Sequence, residues 1–211
     1  MLRYSHLLTA SYDGHIRAFD YSKNETVSSH VHNAPVTGLS VIPLQTYDES
    51  SSYTIATSSQ DLTAVIHRLR LSSDETSSRT QSLATLHLHT APLSSIAANS
   101  SGSHLLTSSW DGLIGLWDMV IPPTDEVPEP ESYMREKKKR RKIQDDPRPC
   151  RKAPTSVLKS HTSRVSKVVF GQQKGTNIAY SCGFDSTVRV WDTEMGVATQ
   201  TIVSLLNPIT L

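Results

Sequence analysis

His89, Ser109 and Asp111 are the residue types of a general base, a nucleophile and an orienting carboxylate. Trp117 stands six places beyond the Asp in "TSSWDGLIGLWD" (107–118). Hydrolytic chemistry would need such a set once, with a hydroxyl–imidazole contact and an oxyanion hole. This chain repeats it. His32, Ser59 and Asp61 recur with His67 at the Trp place. His161, Asp185 and Trp191 recur with Gly183 at the Ser place, and Ser11 and Asp13 recur with Phe19 at the Trp place. A set that returns at intervals and decays piecemeal reads as scaffolding. A buried turn Asp needs donors, and an imidazole N–H, a hydroxyl and an indole N–H supply them. The twelve residues from Ser11 to Trp191 are therefore expected to form a structural hydrogen-bond network. The chain has no G-x-S-x-G elbow and no Gly-rich phosphate loop. No catalysis, cofactor, metal or small-molecule substrate is expected.

The elements that position these residues follow one beat. "LLTASYDGHIRAFD" (7–20), "TIATSSQDLTAVIHRL" (54–69), "HLLTSSWDGLIGLWD" (104–118) and "IAYSCGFDSTVRVWD" (178–192) each read as a strand, a tight turn around an Asp and a second strand. The second strands alternate with period two, as in "STVRVWD", which is the pattern of a half-buried strand and not of a helix. Gly14 and Gly112 follow the turn Asp, where a hairpin wants a residue tolerant of positive φ. Three of the beats are preceded by a His-led strand (32–42, 89–99 and 161–171), and a fourth apolar stretch such as "ATLHL" (84–88) or "VATQTIV" (197–203) follows. Four strands per unit result.

The turn aspartates are 48, 50 and 74 residues apart, and leaving out 122–154 brings the last interval to 41. A four-stranded propeller blade repeats every ~40–45 residues, with insertions falling in loops. The excess in the second unit maps onto the polar stretches 43–52 and 72–81. The expected fold is all-β: an incomplete β-propeller of about three and a half four-stranded blades. Blades are expected over 1–121, the first one partial, and again over 155–211, where a truncated tail follows.

Net charge is +1, which argues against a surface tuned throughout to nucleic acid. The average hides an asymmetry: residues 135–152 carry +7 and the rest of the chain −6. Residues 122–154 are acidic and Pro-rich first and basic second, with seven prolines, and read as a disordered charged insert. Lys137, Lys138, Lys139, Arg140, Arg141 and Lys142 form six consecutive cations suited to nuclear import or to RNA phosphate, the latter without sequence specificity. Cys150 and Cys182 lack metal-ligand spacing, so a reducing compartment fits. No apolar run approaches the ~18 residues of a membrane span and the N-terminus lacks a signal-peptide core, so a soluble intracellular protein is expected.

The "WD" dipeptides at 117–118 and 191–192, with the His-led strands and the turn aspartates, resemble the WD-repeat family. The order of "LHLHTAPLSSIAANSSGSHLLTSSWDGLIGLWD", the "KKKRRK" insert and "LKSHTSRVSKVVF" is similar to the family of WD-repeat subunits of the PeBoW complex. That resemblance implies a nucleolar and nucleoplasmic scaffold for large-subunit ribosome assembly, bound to pescadillo, the block-of-proliferation protein and pre-ribosomal particles. The alternative is a generic WD-repeat adaptor such as a ubiquitin-ligase substrate receptor. Family members begin with a ubiquitin-like domain that recruits the midasin ATPase and should have seven blades. This sequence starts mid-blade, so it is expected to be a fragment of such a protein.

Overall fold

The computed structural model describes residues 6–43, 52–70, 80–121, 149–172 and 177–203. Among the described residues sixteen strands lie in four sheets, and no helix occurs. The first sheet has three strands: β1 (His6–Ala10), β2 (His15–Asp20) and β3 (Glu25–His30). The second is an antiparallel meander of β4 (Val36–Ile42), β5 (Ser52–Ser59), β6 (Ala64–Arg70) and β7 (Thr80–Leu86). The third holds β8 (Leu93–Ala98), β9 (His104–Ser109) and β10 (Leu113–Asp118). Its outer strand, β12 (Ser156–Lys159), arrives only after the insert. The fourth is β13 (Val165–Phe170), β14 (Ile178–Gly183), β15 (Thr187–Asp192) and β16 (Val197–Val203). These are blade-like sheets, three of them with at least four strands, and they do not close into a barrel.

Alternation decides how the sheets stack. Leu105 and Leu106 are adjacent on β9 and both fully buried, because they point to opposite faces of one sheet. Leu105 packs with Ile42, Ala56, Ile66 and Trp117 in the seam between the second and third blades. Leu106 packs with Val165, Val168, Ala179 and Trp191 in the seam between the third and fourth. Ile16 and Ala18 meet Ile55 and Leu69 in the first seam. Each such leucine contributes about 1.5–3 kcal/mol through burial. Contacts therefore run between neighbours, as in repeat proteins generally.

The hairpin around each turn Asp has one left-handed residue, directly after that Asp. Gly14 (φ 77°) and Gly112 (φ 81°) take that place in the first and third blades, as their type allows. Leu62 (φ 70°) and Ser186 (φ 60°) take it in the second and fourth, against their preference. A shared turn geometry thus outweighs local preference in two units.

The insert differs from the expected bounds. Residues 122–148, including Lys137–Lys142, lie outside the described residues. Beyond them Cys150–Lys152 forms β11, a parallel fifth strand on β7. Lys152, assigned by its surroundings to the charged appendage, is only 2% exposed. Its ammonium is paired with Asp118, and that pairing makes its burial tolerable where composition argued against it. Thr80 and Gln81, read from sequence as part of the polar stretch 72–81, belong to β7.

Candidate functional site: a relay at each hairpin

In the third blade the His-led segment before β8 brings His89 over the hairpin of β9 and β10. His89 Nδ1 lies 3.0 Å from Asp111 Oδ2, and its Nε2 lies 2.9 Å from the Thr107 hydroxyl. Trp117 Nε1–H donates to that same oxygen at 2.9 Å. An ionised carboxylate can only accept, so His89 Nδ1–H donates to Asp111; a neutral imidazole then accepts the Thr107 proton on Nε2, and the Thr107 oxygen accepts from the indole, which can only donate. The directions follow from a donor-only indole at one end and an acceptor-only carboxylate at the other. The fourth blade repeats it with Trp191 to Ser181 (2.8 Å), Ser181 to His161 (2.7 Å) and His161 to Asp185 (2.8 Å).

In the second blade His67 stands where the other two have Trp. Thr57 lies 3.1 Å from His67 Nε2 and 2.8 Å from His32 Nε2, and His32 Nδ1 is 3.0 Å from Asp61. The same bond directions require His67 to carry its proton on Nε2, with Nδ1 free to accept from the Ser82 hydroxyl at 3.3 Å. Burial, and secondarily His32, pushes the His67 pKa down to about 3, which fits a neutral donor. Burial alone would raise the Asp61 carboxyl, but its hydrogen bonds from His32 and Thr63 outweigh that and bring it to about 2. Burial also dominates at His161, holding it below its ordinary value despite Asp185.

The space around the donor is filled differently in each blade. A Cβ on Gly115 would stand 2.7 Å from Trp117 Nε1 and 2.8 Å from Thr107 Oγ1, so the third blade as packed has no room for a side chain at residue 115. The second blade carries Val65 at that place, beside the smaller imidazole. The fourth carries Arg189 there, opposite Ser181, and Trp191 still donates to Ser181 at 2.8 Å. Gly183, at the Ser place, is confined instead by His161, whose Nδ1 a Cβ would approach to 2.8 Å.

The expected serines are not the bridging hydroxyls. Ser109 Oγ donates to the Ala91 and Pro92 carbonyls at 2.9 and 3.0 Å and accepts the Asp111 N–H at 3.2 Å. Ser59 does the same with Ala34, Pro35 and Asp61. Both tie the hairpin to the preceding loop while the relay runs through Thr107 and Thr57. The sequence held the signal: a hydroxyl lies four residues before every turn Asp (Thr9, Thr57, Thr107, Ser181), whereas the place two before fails at Gly183.

In the first blade Asp13 instead accepts from Arg17 at 2.5 Å and from the His15 N–H at 3.0 Å. The Arg17 bond chiefly holds its carboxyl well below the usual range. Ser11 sits at the turn, where its carbonyl accepts the Gly14 N–H at 3.2 Å. Both cysteines are free thiols, and among the described residues no three His, Cys, Asp or Glu side chains cluster to hold a metal.

Ser109, His89 and Asp111 are thus neighbours that do not form a nucleophile–base pair. The relay can fix a hairpin, orient a His-led loop and satisfy buried polar atoms. Comparison with known proteins agrees with a repeat. Residues 80–118 and 152–192 match the family model of the WD domain, G-beta repeat. Each match begins around the outer edge of one blade and ends at β10 or β15 of the next, so the sequence repeat is offset from the sheets. The chain is 52% identical over 206 residues to the ribosome biogenesis protein YTM1 of Laccaria bicolor, covering 96% of this chain and 45% of that protein. It is 52% identical over 212 residues to YTM1 of Coprinopsis cinerea, covering 97% and 46%. A ribosome biogenesis protein WDR12 homolog of Arabidopsis thaliana is 28% identical over 90% of the chain. The chain spans a little under half the length of these curated relatives.

Proposed function

We propose that this WD-repeat chain is a non-catalytic interaction scaffold in ribosome biogenesis, acting in large-subunit (60S) assembly and rRNA maturation. Its partners in that reading are pescadillo and the block-of-proliferation protein within a nucleolar complex on pre-ribosomal particles. The observation that carries it is the similarity across nearly the whole chain to proteins named for ribosome biogenesis. The hydroxyls supply a second support, since those resembling a nucleophile are engaged with backbone or relay partners. The twelve network residues act as blade scaffolding, with Ser11, Ser59 and Ser109 tying turns rather than bridging. The basic run Lys137–Lys142 in the insert serves nuclear import or contacts RNA phosphate without sequence specificity, two uses that do not exclude each other.

Affinity purification of the tagged chain from nuclear extract tests the reading. Pescadillo, the block-of-proliferation protein and large-subunit precursors should co-elute. Their absence around a folded, monodisperse chain would overturn it in favour of a generic adaptor. A reporter fused to residues 130–150 should enter the nucleus, and a cytoplasmic reporter would contradict the import role.

A further inference from the structure

The outer strand of the third blade is reached by a detour through its neighbour. When the chain returns from the insert, Cys150 pairs with Ala84, Arg151 with Thr85 and Lys152 with Leu86, parallel to β7. The His87 N–H donates to the Lys152 carbonyl at 3.0 Å. Only then does the chain cross into β12. Every other pairing in the four sheets is antiparallel. Among the described residues the outer strands of the third and fourth sheets carry no fifth strand.

A three-residue parallel strand has little stability of its own. A side chain anchors this one. The buried Lys152 ammonium donates to Asp118 Oδ1 at 2.5 Å and to the Val120 carbonyl at 2.9 Å, while the Thr155 hydroxyl donates to the other Asp118 oxygen at 3.1 Å. The carboxylate belongs to the end of β10 in the third blade, and the paired edge belongs to the second. One cation therefore closes both the edge and the seam. An edge strand is a template for any extended segment that can reach it. Here the pocket adds a selection rule. A residue without a cation at position 152 would leave Asp118 half-buried and without that counter-charge.

We propose that the outer edge of the second blade is a strand-addition site for an extended, lysine-bearing segment, occupied in cis by Cys150–Lys152 as a latch on the insert. Residues 153–155 tie this occupant to β12 and keep it at high local concentration, and an outside strand with a lysine in the same register, in excess, would displace it. Displacement would release the end of the insert from the seam.

Hydrogen exchange on the full chain tests this, because the His87 amide reads the latch directly. In Lys152→Glu the charge repels Asp118, and the His87 amide should exchange faster by about tenfold or more while the amides of β9 keep their protection. A synthetic peptide of residues 149–155, added in excess, should restore protection, and the same peptide with Glu for Lys should not. Lys152→Arg, which keeps the cation, should exchange like the parent. Unchanged His87 exchange in Lys152→Glu would overturn the latch. Protection by the Glu peptide would overturn the selection rule. Loss of β9 protection in Lys152→Glu would show that the segment is integral core and not an exchangeable strand.

Discussion

The second and third blades solve one problem with different side chains. Both run a donor to a threonine hydroxyl, that hydroxyl to a histidine, and the histidine to the turn Asp. The third uses Trp117, whose indole fills volume, cannot titrate and packs where a Cβ on Gly115 would stand. The second uses His67 with Val65 beside it, which keeps the N–H but makes the core sensitive to protons. What is held constant is the hydrogen-bond direction; what varies is how the space around the donor is filled. The two turns differ as well, with Gly112 in the third and Leu62 held at φ 70° in the second.

Exchanging the parts would sharpen the comparison. Trp117→His should lower stability by about 3 kcal/mol, since it keeps a donor but opens a cavity in the seam between the second and third blades. Adding Gly115→Val to it should recover on the order of 1–2 kcal/mol, because the pair recreates the second blade's packing. Chemical denaturation of the single and double variants measures both, and strict additivity would break the space-matching account.

Removing the bridging hydroxyl comes next. Thr107→Val should cost about 2–3 kcal/mol by leaving the Trp117 donor and the His89 acceptor without partners. Ser109→Ala should cost about 1 kcal/mol and abolish no activity. A turnover that depends on Ser109 would contradict the scaffold reading.

Acid separates the blades further. The His67 pKa is lowered to about 3 in the fold against an ordinary 6.5, so its contribution is complete above pH 6.5 and is lost as pH falls through that value toward 3. The slope is at most about 1.4 kcal/mol per pH unit. His161 is lowered too, so the difference between the parent and His67→Gln isolates one site. Between pH 6.5 and 5 the parent should lose on the order of 2 kcal/mol more than His67→Gln. Parallel pH profiles would refute the titration. Asp61 acts in a lower window, its contribution present above pH 3.8 and lost toward about 2.

The smallest effect belongs to the turns. Leu62→Gly should stabilise the second blade by about 1 kcal/mol by relieving a left-handed non-glycine residue. A loss of similar size would show that the Leu62 side chain contributes more than its backbone strain removes.

The blade pattern was legible because each unit repeats both an alternation of two and a turn Asp, and both survive the loss of individual residues. The network was legible in its ends, His and Asp, but not in its middle. Ser109 and Thr107 lie on the same face of β9, and only strand pairing shows which of them meets the imidazole. His67 was legible as a departure from Trp, while its role as a substitute donor needed the geometry around Thr57. The strand at Cys150–Lys152 was hidden by its setting. Three residues among cations and prolines carry no periodicity, and a buried lysine is intelligible only beside Asp118.

The ring-nitrogen states of the four relay histidines test the central claim most directly. Nitrogen chemical shifts at neutral pH should find His32, His89 and His161 protonated on Nδ1 and bare on Nε2, and His67 the reverse. A His67 protonated on Nδ1, or on both nitrogens, would contradict the account, because Thr57 would then lack the donor that Trp117 gives Thr107.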